Sequence, residues 1–560
     1  MPLEPYGRKV AELLGEHVVA DSFAMLFRHR VETSPDSVGF RFENESFTNA
    51  EMARFVDRIR ISLQRDGIVA GERVAAYMHN SPALLAIFIA CAMEGIVISP
   101  INVALRRSDL AYALRDLGTK TVFFDAELAE TFAAARQDYA VERAIVYGGS
   151  SGQAVAFDAW LMPYSGPGPA PVVRPADPLC IIYSGGTTGL PKGIVMPQFA
   201  PVGAGIRYNT IADFSDRETY FTTLQLSHSF APLIALPFCL TYGHTFCFWK
   251  WWSASRFVDM VAHYDATITD CFIGMIATLL QTPPRDIDSR LRNVRVVAGF
   301  GGKDDVAMRL RRAYHERFGS KTFDLYGFTE SNGLVAFERE SDARKDGSCG
   351  TASPWFDVVV AGPDDMPLPN GEVGEVLVRP LIPNTIGLGY HNKAEVTTKT
   401  WRNLWIHTGD LAYFDDDGYL FYVGRGNHFL RRRGELIAAA EIENVIMSYP
   451  DVVEVAVIAA PSEFGEDEVR ACIVTRNKAF DPKALYAYLG DQIAAFKVPR
   501  YIDVMDQLPR TGAKREIEKF RLQQRPLDLS WDATRAGVLR AASKPPSQQA
   551  SQEAGMGGKQ

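Results

Sequence analysis

Cysteine is scarce in this sequence, with seven residues in 560, and no two cysteines form a CxxC pair. A disulfide framework or a zinc cluster needs cysteines that are paired or grouped, and seven thiols cannot all pair within one chain. The sequence therefore disfavours both kinds of site. It predicts instead free, buried thiols in a protein of a reducing compartment.

Positive charge and long apolar runs are also in short supply. Lysine and arginine total 59 against 67 acidic residues, a formal net charge of −8, which disfavours a general role on nucleic acid or anionic membranes. The most apolar stretch, 84–101, is interrupted by Glu94 and Gly95, whereas a membrane span needs about 20 apolar residues. The N-terminus lacks an apolar core after a basic start. We therefore expect no signal peptide, no membrane span and a cytoplasmic protein.

What the sequence does contain is an alternation of short apolar segments with amphipathic ones. Strands that alternate with helices predict parallel sheets wrapped by helices. The segments with helical spacing are 51–66, 82–94 and 106–118, and the strand-like segments are 73–79, 95–101, 120–125 and 179–184.

The length of 560 residues is too great for one hydrophobic core, so several domains are expected. Residues 412–425 predict a hairpin that turns at Asp417-Gly418. A smaller α+β unit follows, with strand patterns at 452–461 and 470–476 and a helical pattern at 482–496. The predicted division is a large domain at 1–425, a small domain at 426–540 and a disordered polar tail at 541–560.

A glycine-rich stretch, YSGGTTGLPKG (183–193), leaves the end of a predicted buried strand, where ligands bind in open α/β sheets. Glycines let backbone N–H groups approach an anion, and the hydroxyls and Lys192 suit a polyphosphate. The spacing does not fit the Walker pattern, because Gly193 rather than Ser or Thr follows Lys192. Taken alone, the stretch is explained as well by a structural turn as by a phosphate site.

This stretch resembles the signature loop of the adenylate-forming enzymes, which comprise acyl-CoA synthetases, luciferases and nonribosomal peptide adenylation domains. Segments similar to further motifs of that family follow in the family's order, namely YGFTES (326–331), HTGDLAYF (407–414), GRGNHFLRRRGELIAAAEIE (424–443) and LPRTGAKREIEKF (508–520). Within the family, the chain is most similar to bacterial carnitine/crotonobetaine and medium- or long-chain acyl-CoA ligases.

The resemblance implies an α/β fold. Its large N-terminal domain would contain parallel and mixed sheets wrapped by helices, together with a β-barrel-like subdomain. A small, mobile α+β domain would follow at the C-terminus.

The resemblance also implies an ATP site. Tyr326 would contact adenine, Asp410 the ribose hydroxyls, and Arg425 the ribose or phosphates, with a glycine loop in VVAGFGG (296–302) beside the adenine. The residues implied to bind ATP are Ser184, Gly185, Gly186, Thr187, Thr188, Gly189, Lys192, Gly301, Gly302, Tyr326, Asp410 and Arg425.

Four catalytic positions are implied as well. Thr329 would reach the α-phosphate and the carboxylate, and Glu330, with Thr187, would hold Mg²⁺, which prefers oxygen ligands. His228 in LSHSF would lie near the acyl pocket, with a structural histidine as the alternative. Lys514 would bridge the carboxylate and the α-phosphate, although it stands one position early in its motif and Lys519 is an alternative.

Two further assignments concern the second half-reaction. Asn427 occupies the family's hinge position, which usually holds Asp or Lys. Arg432, Arg433 and Gly434 would contact CoA phosphates, unless the three arginines of 431–433 form a solvated basic turn.

The implied function is an ATP-dependent acid–thiol ligase that makes an acyl-adenylate and passes the acyl group to CoA, releasing pyrophosphate and AMP. Phe230, Phe238 and Phe272 indicate a mainly hydrophobic acid. One alternative is transfer to a carrier protein or another acceptor. Another is a non-catalytic nucleotide or acyl-adenylate binder, because Gly185, Asn427 and the shifted Lys514 depart from the family pattern. The expected partners are the small-molecule acid, ATP and CoA. A homodimer is also compatible with the sequence.

Overall fold

A computed structural model gives the fold. It describes residues 19–105, 107–184, 191–299, 305–425, 429–432, 435–461, 467–477, 479–493, 495, 497–510 and 517–538. The chain divides into two compact units, residues 1–427 with 510–516 and residues 428–509 with 517–560.

Several helices begin where the sequence supplies a side-chain cap. Thr48 and Glu51 form a capping box at the start of the second helix, and Gly67, with φ +69°, follows its end. Ser81 caps the third helix, and Pro82 opens it. In chain order the helices are α1 (Phe23–Thr33), α2 (Asn49–Arg65), α3 (Pro82–Met93), α4 (Arg107–Leu117), α5 (Ala129–Arg136), α6 (Phe157–Trp160), α7 (Phe199–Tyr208), α8 (Leu236–Tyr242), α9 (Phe257–Tyr264), α10 (Ile273–Leu280), α11 (Asp305–Phe318), α12 (Ala394–Thr400), α13 (Ala439–Met447), α14 (Pro482–Gln492) and α15 (Lys519–Gln523).

The strands of the larger unit are short. In chain order they are β1 (Val38–Phe42), β2 (Glu45–Thr48), β3 (Arg73–Tyr77), β4 (Val97–Pro100), β5 (Thr121–Asp125), β6 (Arg143–Tyr147), β7 (Val155–Ala156), β8 (Pro178–Ser184), β9 (Lys192–Pro197), β10 (Thr219–Thr222), β11 (Thr245–Phe248), β12 (Ile268–Asp270), β13 (Arg295–Val297), β14 (Lys321–Phe323), β15 (Leu325–Tyr326), β16 (Ala336–Phe337), β17 (Thr351–Ala352), β18 (Phe356–Ala361), β19 (Gly374–Pro380), β20 (Gly389–Tyr390), β21 (Trp401–Arg402), β22 (Trp405–Phe414) and β23 (Leu420–Arg425).

Two large, mostly parallel sheets organise the larger unit. One has the strand order β20-β9-β8-β4-β3-β5-β6-β7, and the other has the order β14-β13-β12-β10-β11-β1-β2. Helix α3 is buried along its whole length in the main core. The prediction of parallel and mixed sheets with helices packed on them is therefore confirmed.

Antiparallel strands complete the larger unit. Strands β18-β19-β22-β21, with β23 on β22, form one sheet, and β15-β16-β17 form another. The hairpin predicted at 412–425 is the β22–β23 pair, and Gly418 in its turn has φ +80°.

The smaller unit has its own core and two sheets, which confirms the predicted small α+β domain. Its strands are β24 (Phe429–Arg432), β25 (Glu435–Ala438), β26 (Val452–Pro461), β27 (Asp467–Thr475), β28 (Tyr501–Met505) and β29 (Trp531–Asp532), paired as β24-β25 and β26-β27-β28-β29. The tail predicted at 541–560 lies outside the described residues.

All seven cysteines are free and buried, as predicted. Among the described residues, none of the helices combines the length and the hydropathy that a membrane span requires.

Candidate active site

The glycine-rich stretch connects two antiparallel neighbours, β8 and β9. Their register places Ser184 opposite Lys192 and Tyr183 opposite Gly193. The stretch therefore runs from strand to strand, and not from strand to helix as in a Walker loop. The predicted phosphate-binding residues Gly185, Gly186, Thr187, Thr188 and Gly189 lie outside the described residues.

Tyr390 connects two of the predicted site residues. Its hydroxyl donates a hydrogen bond of 2.5 Å to Oε1 of Glu330, and the Lys192 Nζ lies 5.3 Å from the centroid of its ring. Strand β20 brings Tyr390 there by pairing with β9, opposite Ile194. The carboxylate of Glu330 and the ammonium of Lys192 are thus brought to opposite parts of one tyrosine side chain.

The backbone near Glu330 is held as firmly as its side chain. The Gly387 N–H donates to the Glu330 carbonyl at 2.8 Å. A Cβ on Gly387 would lie 2.8 Å from Ile194 Cγ2 and 3.3 Å from that carbonyl oxygen, so the approach requires glycine. Tyr390 is not among the residues predicted from the sequence. Its stretch GLGYHNKAEVT (387–397), which is similar to the acyl-CoA ligases, is the signal that could have identified it.

The predicted nucleoside-binding residues also lie together. The buried Tyr326 donates a hydrogen bond of 2.8 Å to Oδ2 of the buried Asp410, and Asp410 is paired in register with Arg425 across β22 and β23. The Thr408 hydroxyl accepts the Asp410 N–H at 3.0 Å. Burial and the nearby Asp410 carboxylate raise the pKa of Tyr326 well above its usual value, so the phenol keeps its proton and acts as a donor.

The side chains predicted to line the acyl pocket include an aromatic cluster. The ring centroid of His228 lies 6.1 Å from that of Phe272, and Phe272 meets Phe230 edge-on at 5.3 Å. The Phe230 N–H donates to Nδ1 of His228 at 3.3 Å. Phe238 is fully buried against Tyr208, with ring centroids 4.6 Å apart. The cluster of His228, Phe230 and Phe272 is apolar apart from the imidazole.

Thr329 and Glu330 lie in a short 3₁₀ helix, Thr329–Ser331, which Gly327 and Phe328 separate from β15. Glu330 is thus a single carboxylate beside the glycine-rich stretch. Among the residues that the structure describes, no cluster of three or more His, Cys, Asp and Glu side chains could hold a metal ion. One carboxylate together with phosphate oxygens satisfies Mg²⁺, which keeps most of its waters, so Glu330 fits a metal that arrives with the nucleotide.

Arg432, predicted to contact CoA, belongs to the core of the smaller unit. It is 3% exposed, its Nη2 lies 2.6 Å from Glu468 Oε2, and its Nη1 donates to the Val498 carbonyl at 2.9 Å. These contacts hold the Arg432 guanidinium inside the smaller unit, so the structure gives no support to the predicted contact with CoA. Lys519, the alternative to Lys514, is paired with Glu443 at 2.6 Å. Besides those of the glycine-rich stretch, the predicted site residues outside the described residues are Gly301, Gly302, Asn427, Arg433, Gly434 and Lys514.

Comparison with protein families gives two matches along the chain. The family described as AMP-binding enzyme matches residues 27–391, which is more than half of the chain. The family described as AMP-binding enzyme C-terminal domain matches residues 441–515.

Individual proteins are similar over nearly the whole chain. A crotonobetaine/carnitine–CoA ligase of Salmonella typhi is 26% identical over 488 residues, 84% of this chain and 92% of that protein. The fatty acyl CoA synthetase of Mycobacterium tuberculosis is 25% identical, with a TM-score of 0.68 and coverage of 90% of this chain and 98% of its own. The O-succinylbenzoate coenzyme A synthetase of Bacillus subtilis, solved with AMP, is 21% identical and shares the fold, with a TM-score of 0.75 and coverage of 89% and 98%.

Proposed function

The chain belongs to the family of AMP-binding enzymes, and from this premise we propose that it is an ATP-dependent acid–thiol ligase that makes acyl-CoA. The observation that carries the proposal is the Tyr326–Asp410 pair, which presents a ring and a carboxylate within one unit, with Arg425 opposite Asp410 in the strand register. A ring can stack on adenine, and a carboxylate can accept the two ribose hydroxyls.

The first half-reaction needs no protein nucleophile. A carboxylate oxygen of the acid attacks the α-phosphorus of ATP, the bond to pyrophosphate breaks, and a mixed anhydride with AMP forms. Negative charge builds on the phosphate oxygens, and the ammonium of Lys192, within the glycine-rich stretch, would stabilise it. Lys514 and Thr329 are proposed to act on the α-phosphate and the acid.

Glu330 and Thr187 would hold Mg²⁺, which when bound neutralises charge on the phosphate oxygens. Tyr390 acts on this site through Glu330. Its hydroxyl occupies one lone pair of Oε1, so the other carboxylate lone pairs remain for a ligand, and it fixes the direction of the carboxylate. Tyr390 is therefore a positioning residue.

In the second half-reaction the CoA sulfur attacks the acyl carbon of the anhydride, the bond to the phosphate breaks, and AMP leaves. The aromatic cluster of His228, Phe230 and Phe272 supports an acid with an apolar body, since such walls gain by excluding water from an apolar surface.

The test uses the full chain with ATP, Mg²⁺ and a pool of aliphatic, alicyclic, aromatic and steroid carboxylic acids, with and without CoA. Mass spectrometry would follow AMP, pyrophosphate and new thioesters. We expect AMP and at least one acyl-CoA from the wild type. Asp410→Ala is the matched loss-of-site variant and should lose most of the AMP signal.

Two other outcomes would contradict the proposal. AMP or a bound adenylate without any thioester would indicate a carrier protein or another acceptor in place of CoA. ATP that binds and is never cleaved with any acid in the pool would indicate a non-catalytic nucleotide binder.

A further inference from the structure

Arg207, near the end of α7, is a buried charge with little to satisfy it. The residue is 1% exposed, and its only hydrogen bond to the described residues is a long one, 3.4 Å from Nη2 to the Asn332 carbonyl. Its Nε and Nη1 are buried without a hydrogen-bond partner there. Its other neighbours are rings, with the guanidinium carbon 5.1 Å from the Phe356 centroid and 5.3 Å from that of Trp355.

Other buried arginines of this chain are paired with carboxylates. Arg470, also 1% exposed, bonds Asp503 through Nε and Nη2, and Arg311 bonds Glu338 at 2.8 Å. Arg207 has no carboxylate within ion-pair distance among the described residues. Burial lowers the pKa of Arg207 to about 9, which still leaves the guanidinium charged at neutral pH. An uncompensated buried charge opposes folding, so its presence calls for an anion that the described residues do not supply.

The position of Arg207 relates it to the candidate active site. Helix α7 begins two residues after β9, which carries Lys192. Asn332, whose carbonyl Arg207 contacts, lies two residues after Glu330, and its Nδ2 donates to the carbonyls of Ala200 at 2.9 Å and Leu233 at 3.4 Å. Arg207 thus lies on the helix that follows the glycine-rich stretch and β9, and it contacts the segment that follows Glu330.

Helix α7 also borders the aromatic cluster of His228, Phe230 and Phe272. Tyr208, the next residue, has its ring centroid 6.3 Å from that of Phe230. Leu233 belongs to a π-helix, Ala231–Ala235, that follows Phe230, and π-helical turns are frequent at functional sites. The helix that borders the aromatic cluster through Tyr208 therefore also carries the Arg207 guanidinium, which is unpaired among the described residues.

We propose that Arg207 binds a second carboxylate at the far end of the acid, so that the substrates are dicarboxylic acids with an apolar body. This inference rests on the proposed ligase function and names its substrate class. The Arg207 guanidinium offers two unused nitrogens to a carboxylate, and hydrogen bonds between two charged groups are strong in such a dry setting. Trp355 and Phe356 would exclude water from the pair.

The experiment compares acids that differ only in the far carboxylate. Adipic, suberic and sebacic acids are set against hexanoic, octanoic and decanoic acids, and kcat/KM for AMP and acyl-CoA formation is measured for each. We expect the wild type to prefer the diacid at one chain length or more. Arg207→Met should lower the diacid-to-monoacid ratio about 10- to 100-fold, and Arg207→Lys, which keeps the charge, should lower it less.

A merely structural role for Arg207 predicts a different result. In that case Arg207→Met changes the melting temperature and leaves the ratio as it was, which overturns the inference while turnover of monoacids keeps the ligase proposal intact. A wild-type preference for monoacids also overturns it. If no acid of either series or of the pool yields AMP, the ligase function fails, and the inference fails with it. Should Arg207→Met not fold, the ratio measured for Arg207→Lys decides.

Discussion

At the scale of single residues, the Tyr390 hydroxyl determines where the Glu330 carboxylate points. Tyr390→Phe removes that hydrogen bond and keeps the ring beside Lys192. A hydrogen bond to a charged group contributes about 1.5–3 kcal/mol, so we expect kcat/KM for ATP to fall about 10- to 100-fold. ATP–pyrophosphate exchange measures this, with Mg²⁺ titrated.

Tyr419→Phe is the matched control. Its hydroxyl also donates a partly buried hydrogen bond in the larger unit, at 2.6 Å to the carbonyl of Ala343. Neither Tyr419 nor Ala343 is a candidate site residue. An equal loss in both variants would show that Tyr390 contributes to stability and not to the position of Glu330.

Lys514 and Lys519 are the two candidates for the adenylation lysine. Lys519 is held by Glu443 at 2.6 Å, and its side chain is 13% exposed, so its ammonium already has a partner in the smaller unit. We expect Lys514→Ala to reduce acyl-adenylate formation at least about 100-fold and Lys519→Ala to reduce it far less. An assay of adenylate formation without CoA, in which the released pyrophosphate is measured, distinguishes the roles of Lys514 and Lys519. An unchanged rate in Lys514→Ala would show that another residue serves.

The candidate site could be predicted from the sequence only where a residue sits inside a motif. Tyr326 and Asp410 stand in such motifs, and the structure brings them into contact. Tyr390 lies in a two-residue strand, too short for any periodicity to reveal, and reaches Glu330 only through the pairing of β20 with β9. Arg207 lacks an ion-pair partner among the described residues because no carboxylate of theirs folds close to it. Those distances cannot be read from a single sequence.

At the scale of elements, α7 and α8 approach each other closely at Gly205. A Cβ there would lie 2.8 Å from the backbone nitrogen of Phe238 and 2.8 Å from the carbonyl carbon of Pro237. Gly205→Ala should therefore destabilise the larger unit by about 1–3 kcal/mol, although alanine is the better helix former. Thermal or urea unfolding measures the change.

Gly274, in the first turn of α10, supplies the comparison. A Cβ there meets nothing within 4 Å, so Gly274→Ala should leave stability unchanged or raise it by a few tenths of a kcal/mol. Equal effects of the two substitutions would mean that the α7–α8 approach relaxes without strain.

Predicted elements agree with the structure where the local pattern and the tertiary contacts demand the same thing. Segment 452–461 is strand β26, and segment 106–118 is helix α4 with one residue fewer at each end. The helix predicted at 482–496 ends at Gln492, because Ile493 is extended and packs against the core of the smaller unit. The apolar spacing of 482–496 continues through that point, so periodicity alone could not place the end.

At the scale of the whole molecule, acid should weaken the larger unit through His244. Burial lowers the pKa of His244 to about 4, and its Nδ1 accepts the Glu218 N–H at 3.1 Å, which requires a neutral ring. The unfolded chain has an ordinary histidine pKa of about 6.5, so it binds more protons than the folded chain between these values. Stability from His244 is present above about pH 6.5 and is lost as the pH falls towards 4.

We expect this contribution to be about 1 kcal/mol smaller at pH 5.5 than at pH 7.5. The measurement compares urea unfolding of the wild type and His244→Asn at both pH values, monitored by tryptophan fluorescence. Trp531 is the one tryptophan of the smaller unit, so this signal reports mainly on the larger unit. Burial raises the pKa of Asp270 to about 7, so its contribution is lost as pH rises and opposes that of His244. Only the difference between the two proteins is therefore diagnostic, and a pH-independent difference would refute the assignment.

The buried cysteines can report on local unfolding of the chain. Burial raises the pKa of every one of them, and alkylating reagents react with the thiolate. Brief pulses of iodoacetamide in rising urea should therefore mark a thiol only after its surroundings unfold. Cys472 lies in the smaller unit and the other six cysteines lie in the larger one. The masses of the labelled peptides would therefore give the urea concentration at which each unit unfolds.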